Sequence, residues 1–154
     1  MKYSVSVVLR EKINDKKFLA VKRPYNDEEY PGMWGLPAIS FKPPETPENA
    51  VKRLGIEKLG CLIEPYSFLG AFYQERPSYK LILFLYEAYI KEGYPDVSKG
   101  KKGTIYIDQI WTENYEILFP IARKGSACCQ LFLYHLGMLK EEDLLTKISK
   151  EDLK

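Results

Sequence analysis

The stretch Glu45 to Gly60, "ETPENAVKRLGIEKLG", reads as one short helix with defined ends. Thr46 followed by Pro47 starts it: a hydroxyl oxygen that caps free N–H groups, then a residue whose missing N–H is no loss there. Gly60 after Leu59 is the matching stop signal, since glycine takes the left-handed backbone that closes helices. Inside, Arg53 and Glu57 stand four apart and so face the same side, with Leu54 and Lys58 as the neighbouring pair. Gly55 in a helix interior costs about 1 kcal/mol against Ala, so it either weakens the helix or lets another group approach closely. Taken alone, Arg53 with Glu57 is a surface ion pair worth a few tenths of a kcal/mol. Leu54, at helical spacing from Ala50 and Val51, fits a core position, and Lys58 fits a solvated charge.

The flanks place this helix among strands. "KYSVSVVLREK" alternates apolar and polar residues as a half-buried strand does, "NDKK" supplies a turn, and "KFLAVKRP" reads as a second strand hairpinned to the first. A loop, "YNDEEYPGMWGLPA", carries Tyr25, Tyr30 and Trp34, and "AISFK" is a short strand before the helix. Two β-like runs follow, "CLIEPYSFLGAFYQE" and "YKLILFLYEAYIK", joined through Arg76 to Ser78. The Gly/Lys-rich "EGYPDVSKGKKG" leads to a strand, "TIYIDQIW". After "TENYEILFP", the segment "KGSACCQLFLYHLGMLK" predicts a second helix with Ser126 as N-cap and Cys128, Leu131, Phe132 and Leu136 on one face. The tail, residues 141–154, is a charged amphipathic helix or a frayed end. Strands, helix, strands and helix in that order predict helices packed on a mixed β-sheet, an α/β or α+β sandwich in one domain spanning 1–154.

Composition narrows the function classes. The 154 residues suffice for one domain with a real core, and 45% hydrophobic with 29% charged residues is a globular balance. A net charge of +2 does not argue for nucleic acid or an anionic membrane. No apolar run approaches the roughly 20 residues that span a bilayer, and "MKYSVSVVLREK" reaches charge too soon for a signal peptide, which leaves the cytoplasm as the expected location. Cys61, Cys128 and Cys129, with the single histidine His135, form neither a disulfide framework nor a zinc motif and are expected to be buried thiols. Abundant Tyr, Lys, Glu and Ile with few Asn and Gln fit a heat-adapted source.

With its flanks, the helix resembles the Nudix hydrolases, whose box is G-x5-E-x7-R-E-U-x-E-E-x-G-U, where U is a bulky aliphatic. Glu45 falls on the first glutamate, Arg53 on the arginine, Glu57 on one of the last two glutamates and Gly60 on the closing glycine, without a gap. "PGMWGLP" is similar to the W-x-x-P segment before the box, "SVSVVLREK…KFLAVKRP" to the family's opening hairpin, and "DQIWTENYEIL" to a passage near its end. The resemblance covers roughly residues 3 to 140. It departs where the chemistry sits: Ile39 replaces the opening glycine, Leu54 and Lys58 replace two glutamates, and Gly55 replaces the aliphatic. In the family those glutamates hold divalent metals on the substrate's pyrophosphate. Exchanging Glu, Glu, Glu for Leu, Glu, Lys takes the formal charge from −3 to 0. A lysine about 4–6 Å from a cation opposes it by something on the order of several kcal/mol on a partly buried surface.

The resemblance implies a Nudix-type α/β/α sandwich and opens two functions. The first is weak Mg²⁺- or Mn²⁺-dependent hydrolysis of a nucleoside diphosphate linked to another group. Glu57 and Glu45 would hold the metal and Arg53 would orient them, with Glu75 or Glu87 as an extra carboxylate. The second is a non-catalytic module that binds a nucleotide or a protein, Arg53 and Lys58 standing in for the metal, and Tyr30 and Trp34 stacking on a base. A structural or homodimerising domain is the third. "KGKK", Lys99 to Lys102, is a solvated loop or a phosphate contact.

Overall fold

The alternating N-terminus forms strand β1 (Lys2–Arg10), yet every residue from Ser4 to Arg10 is buried. The computed structural model, which describes residues 1–153, covers this strand on both faces. Val5, Val7 and Leu9 pack with Ala50, Val51 and Leu54 on one side, and Val8 with Leu85, Ile121 and Phe132 on the other. The polar positions are satisfied internally: the Ser4 and Ser6 hydroxyls donate to the carbonyls of Ile39 (3.0 Å) and Pro37 (2.7 Å). Small hydroxyls with backbone partners thus imitate the alternation of a half-solvated strand.

Strand β2 (Phe18–Lys22) is not hairpinned to β1, against expectation. Strand β3 is Trp34–Gly35, β4 Ala38–Phe41, β5 Leu62–Glu75, β6 Lys80–Glu92 and β7 Asp108–Thr112. One sheet has the order β4-β1-β6-β5 and the other β3-β2-β7. β6 runs parallel along the whole of β1, and β4 pairs antiparallel with Tyr3–Ser6 on the other edge, so β1 is built into this sheet without β2. It pairs with β3 and β7 instead. The first sheet is therefore mixed, and the β5–β6 hairpin stands where the sequence places it.

Helix α1 (Pro47–Leu54) begins as predicted, with Thr46 Oγ1 accepting from the Asn49 N–H at 3.2 Å. It widens into a π-helical turn over Gly55–Leu59 and stops at Gly60, whose φ is +65°. Gly55 sits where the turn presses on β5: a Cβ there would lie 2.8 Å from Ile63 Cγ1 and 2.9 Å from the Cys61 carbonyl oxygen. Of the two roles open to this glycine, close approach is the one observed. Leu54 is fully buried in the core, as its spacing implies.

Helices α2 (Phe119–Arg123) and α3 (Ala127–His135) cover the opposite side, through Ile121, Phe132 and Leu133. The result is an α/β mixed-sheet sandwich with α1 on one side and α2–α3 on the other. The second helix is shorter than "KGSACCQLFLYHLGMLK" suggests, and Ser126 occupies the N-cap position without a capping hydrogen bond. Residues 104–107 lie outside β7: one backbone bond, from the Ile107 N–H to the Lys22 carbonyl at 2.9 Å, extends the pairing, and side chains hold the rest. The Tyr106 hydroxyl accepts from the Ala38 N–H at 3.0 Å, and Lys58 takes the Thr104 carbonyl. The tail is pinned up to Ile148, which is buried and donates its N–H to the Glu75 carbonyl. Lys154 lies outside the described residues. No helix among the described residues is long and apolar enough to cross a membrane.

Candidate functional site

Beside α1 the two sheets leave a chamber of about 380 Å³ whose wall includes Ser40, Arg53, Glu57 and Lys58. Arg53 does what its register suggests. Its Nε and Nη2 hold both oxygens of Glu45 (2.9 and 3.0 Å), its Nη1 holds Glu57 (3.1 Å), and Nη2 also donates to the Ser40 carbonyl (2.7 Å). The pairing with Glu57 is thus one arm of a three-residue cluster, and a forked guanidinium fixes both carboxylates geometrically. Glu57 lines the chamber, while Glu45 stands behind Arg53.

Lys58 corrects the reading as a solvated charge. It is 5% exposed, and its ammonium donates to the carbonyls of Lys102 (2.6 Å) and Thr104 (2.8 Å) and lies 5.8 Å from the Tyr106 ring centre. Burial, aided by the nearby Arg23 charge, pushes its pKa down to about 8. Among the described residues it touches no carboxylate.

The far wall joins Tyr30, an expected site residue, to two arginines that lie outside the box, Arg23 and Arg76. Arg23 forks onto Asp27 (3.0 and 3.2 Å), and Arg76 holds Glu29 through Nε (3.0 Å) and Nη2 (2.7 Å), bonds Gln74 and meets the Tyr30 hydroxyl. Tyr30 is buried between these two arginines, whose guanidinium carbons lie 5.4 and 5.5 Å from its ring centre. Burial raises the Tyr79 and Tyr106 hydroxyls to about 12, so both are neutral donors. One signal was available: Arg23 and Arg76 each follow a strand directly and stand immediately before a proline, Pro24 and Pro77. A terminal arginine there leaves the strand but cannot leave the sandwich.

Tyr30 therefore reaches the chamber, and Trp34 does not. Trp34 stands on β3, 5.9 Å from Lys22 Nζ. Glu87 accepts from Arg10 and Tyr66, and Glu75 from Tyr73, away from the chamber. Of "KGKK", Lys102 lines the cavity, while Lys99 packs its stem against Gly60. Cys61 and Cys129 are buried, as expected; Cys128 is partly exposed and lines the chamber. Its thiol is pulled down by hydrogen bonds from Cys129 and then Ser126, with Arg23 nearby.

The arrangement does not fit a resident divalent cation. Both box carboxylates are engaged by Arg53, the third position is a buried ammonium, and Leu54 faces the core. Among the described residues no three His, Cys, Asp or Glu side chains are grouped to hold a metal. The chamber suits an anion instead. Six cationic residues line it against two carboxylates, and the excess rests with Lys2, Lys58 and Lys102, which pair with no carboxylate among the described residues.

No protein-family model matches the chain, and no curated protein matches it. Its shape does have counterparts among solved structures. The MutT protein of Methanosarcina mazei Go1 is 20% identical, over 88% of this chain and 93% of that one, with a TM-score of 0.63. A NUDIX hydrolase from Nitrosomonas europaea is 18% identical over 99% and 95%, with a TM-score of 0.66. The NUDIX domain of Shewanella oneidensis NrtR, cocrystallised with ADP ribose, is 21% identical over 71% and 70%, with a TM-score of 0.52. At these identities the likeness bears on architecture, and with the mixed sheet and the Thr46–Gly60 helix it shows that this chain has the Nudix fold.

Proposed function

We propose that the chain binds a phosphate-bearing, nucleotide-like small molecule in the chamber beside α1, without needing a divalent metal. The observation that carries this reading is the excess of cationic over acidic side chains on the chamber wall, with Lys58 where a metal-binding box has a glutamate. Fixed guanidinium and ammonium groups in a half-enclosed cavity supply the charge-assisted hydrogen bonds a phosphate requires. The cocrystal of the NrtR domain with ADP ribose shows that a similar fold accommodates such a ligand.

A second reading is slow Mg²⁺- or Mn²⁺-dependent hydrolysis of a nucleoside diphosphate derivative. It is favoured by Glu57, whose carboxylate lines the chamber, and by the hydrolase among the similar structures. One titration separates the two. Nucleoside diphosphates, triphosphates and ADP ribose are added to the protein in EDTA, then with Mg²⁺ or Mn²⁺, with Glu57→Gln as control. Binding in EDTA without turnover supports the binding module; metal-dependent turnover lost in Glu57→Gln supports the hydrolase.

A further inference from the structure

The three arginines of the chamber and its buried lysine differ in how many hydrogen-bond donors they have left for a ligand. Arg76 is saturated: its five N–H groups go to Glu29, Tyr30, Gln74 and the Gly125 carbonyl. Arg53 commits four of five, and its charge faces two carboxylates. Arg23 is different. Asp27 takes Nε and one Nη2 hydrogen, which leaves Nη1 with no acceptor among the described residues on the chamber side. Lys58 spends two N–H groups on carbonyls and keeps the third, with no carboxylate of the described residues in contact.

Arg23 and Lys58 also converge. Both line the chamber, where Lys58 Nζ lies 5.8 Å from the Tyr106 ring centre and the Arg23 charge helps to hold the Lys58 pKa down. Both cations belong to the wall of one chamber and each keeps an uncommitted N–H, which an anion seated there would take. An outer cleft of about 880 Å³ continues from this place, sharing Arg23, Gly103 and Thr104 with the chamber.

We propose that Arg23 and Lys58 form a metal-free phosphate subsite: they grip a terminal phosphate or diphosphate group between them, and the ligand's organic body runs into the outer cleft. Arg53 and Arg76 are positioning residues that hold the two walls. The assignment rests on the binding reading above and adds the groups that make the contact.

The test is calorimetric titration of the full chain with inorganic pyrophosphate in EDTA. Wild type binds, and Arg23→Gln and Lys58→Met each weaken binding by about tenfold or more, the scale of a lost charged hydrogen bond. Wild-type binding left unchanged by both substitutions overturns the subsite and leaves the binding reading standing. No pyrophosphate binding by wild type, or binding only with Mg²⁺, overturns both. Should Lys58→Met fail to fold, the Lys58 Cε–H resonance of the wild type answers instead. It shifts as pyrophosphate binds, and an unmoved resonance at saturation overturns the assignment.

Discussion

Lys58 on the helix and Thr104 on the loop, 46 residues apart, are joined by a 2.8 Å hydrogen bond from ammonium to carbonyl, with Lys102 joined beside it at 2.6 Å. A buried charge here does structural work that a carboxylate at the same position could not. Lys58→Met is expected to raise amide hydrogen exchange across residues 101–106. Global stability should fall by only about 1 kcal/mol, because Lys102 and Gly103 are exposed and water can replace the lost donor while the desolvated charge disappears. Hydrogen exchange with mass spectrometry reads the first and urea unfolding the second; a rigid loop in the variant contradicts the latch.

The same residue sets a pH dependence with a definite sign. Its folded pKa, about 8, lies below the ordinary 10.5, so between these values the unfolded chain binds more protons. Lys58 therefore adds stability as pH rises through that window and withdraws it as pH falls back through 8. Tyrosines and cysteines of the unfolded chain titrate in the same range, so the quantity to measure is wild type minus Lys58→Met. That difference should shift toward wild type from pH 8 upward, and a flat difference would contradict the buried ammonium.

Gly55 offers a test in which two effects oppose. Alanine gains about 1 kcal/mol over glycine in a helix interior. A Cβ at this site lies 2.8 Å from Ile63 and 2.9 Å from the Cys61 carbonyl, and overpacking of that kind costs about 1–3 kcal/mol. The backbone oxygen cannot rotate away as a side chain would. Gly55→Ala is expected to lower the urea midpoint, whereas an increase would mean that the π-helical turn relaxes at no cost.

How far the sequence carries is visible in these residues. Thr46, Gly60 and the Arg53–Glu57 pair obey local rules, and so the helix, its ends and its register were legible. Lys58 was not, because burial of a lysine is decided by a loop 46 residues away. The hairpin of β1 with β2 failed for a related reason, since only the full sheet order shows that β1 takes β4 and β6 as its neighbours. Arg23 and Arg76 stand at strand ends before a proline, a signal too common to mark a site, and the chamber wall they form emerges only when distant strands meet.

Arg76 should be among the least tolerant residues of the chain. Its side chain is 2% exposed and serves Glu29, Tyr30 and Gln74 at once. Arg76→Gln leaves Glu29 to the Tyr79 hydroxyl and strips the buried Tyr30 hydroxyl of its guanidinium partner, a loss of about 3 kcal/mol. Arg76→Lys should rescue little, because an ammonium cannot reproduce the planar fork. Thermal unfolding of the two variants checks both statements, and a lysine variant as stable as wild type would show that charge alone suffices.

Restoring glutamates to the helix separates the two readings of the site. Leu54 is fully buried among Val51, Leu59 and Ile63, so Leu54→Glu forces a carboxylate into an apolar core at a cost on the order of 3 kcal/mol or more. A variant carrying that change is expected to unfold before it binds metal, so the single substitution Lys58→Glu, which borders the chamber and gives up the bonds to the Lys102 and Thr104 carbonyls, is the better probe. It adds a second carboxylate next to that of Glu57 beside the chamber and removes one of the free cations. Pyrophosphate affinity in EDTA should drop, and Mn²⁺ affinity should rise if the geometry around Glu57 still admits a metal. Manganese titration by electron paramagnetic resonance, on Lys58→Glu and wild type together, measures this directly. A gain in Mn²⁺ binding accompanied by new hydrolysis would restore the catalytic reading; loss of anion binding with no metal gained would leave a chamber built around fixed cations.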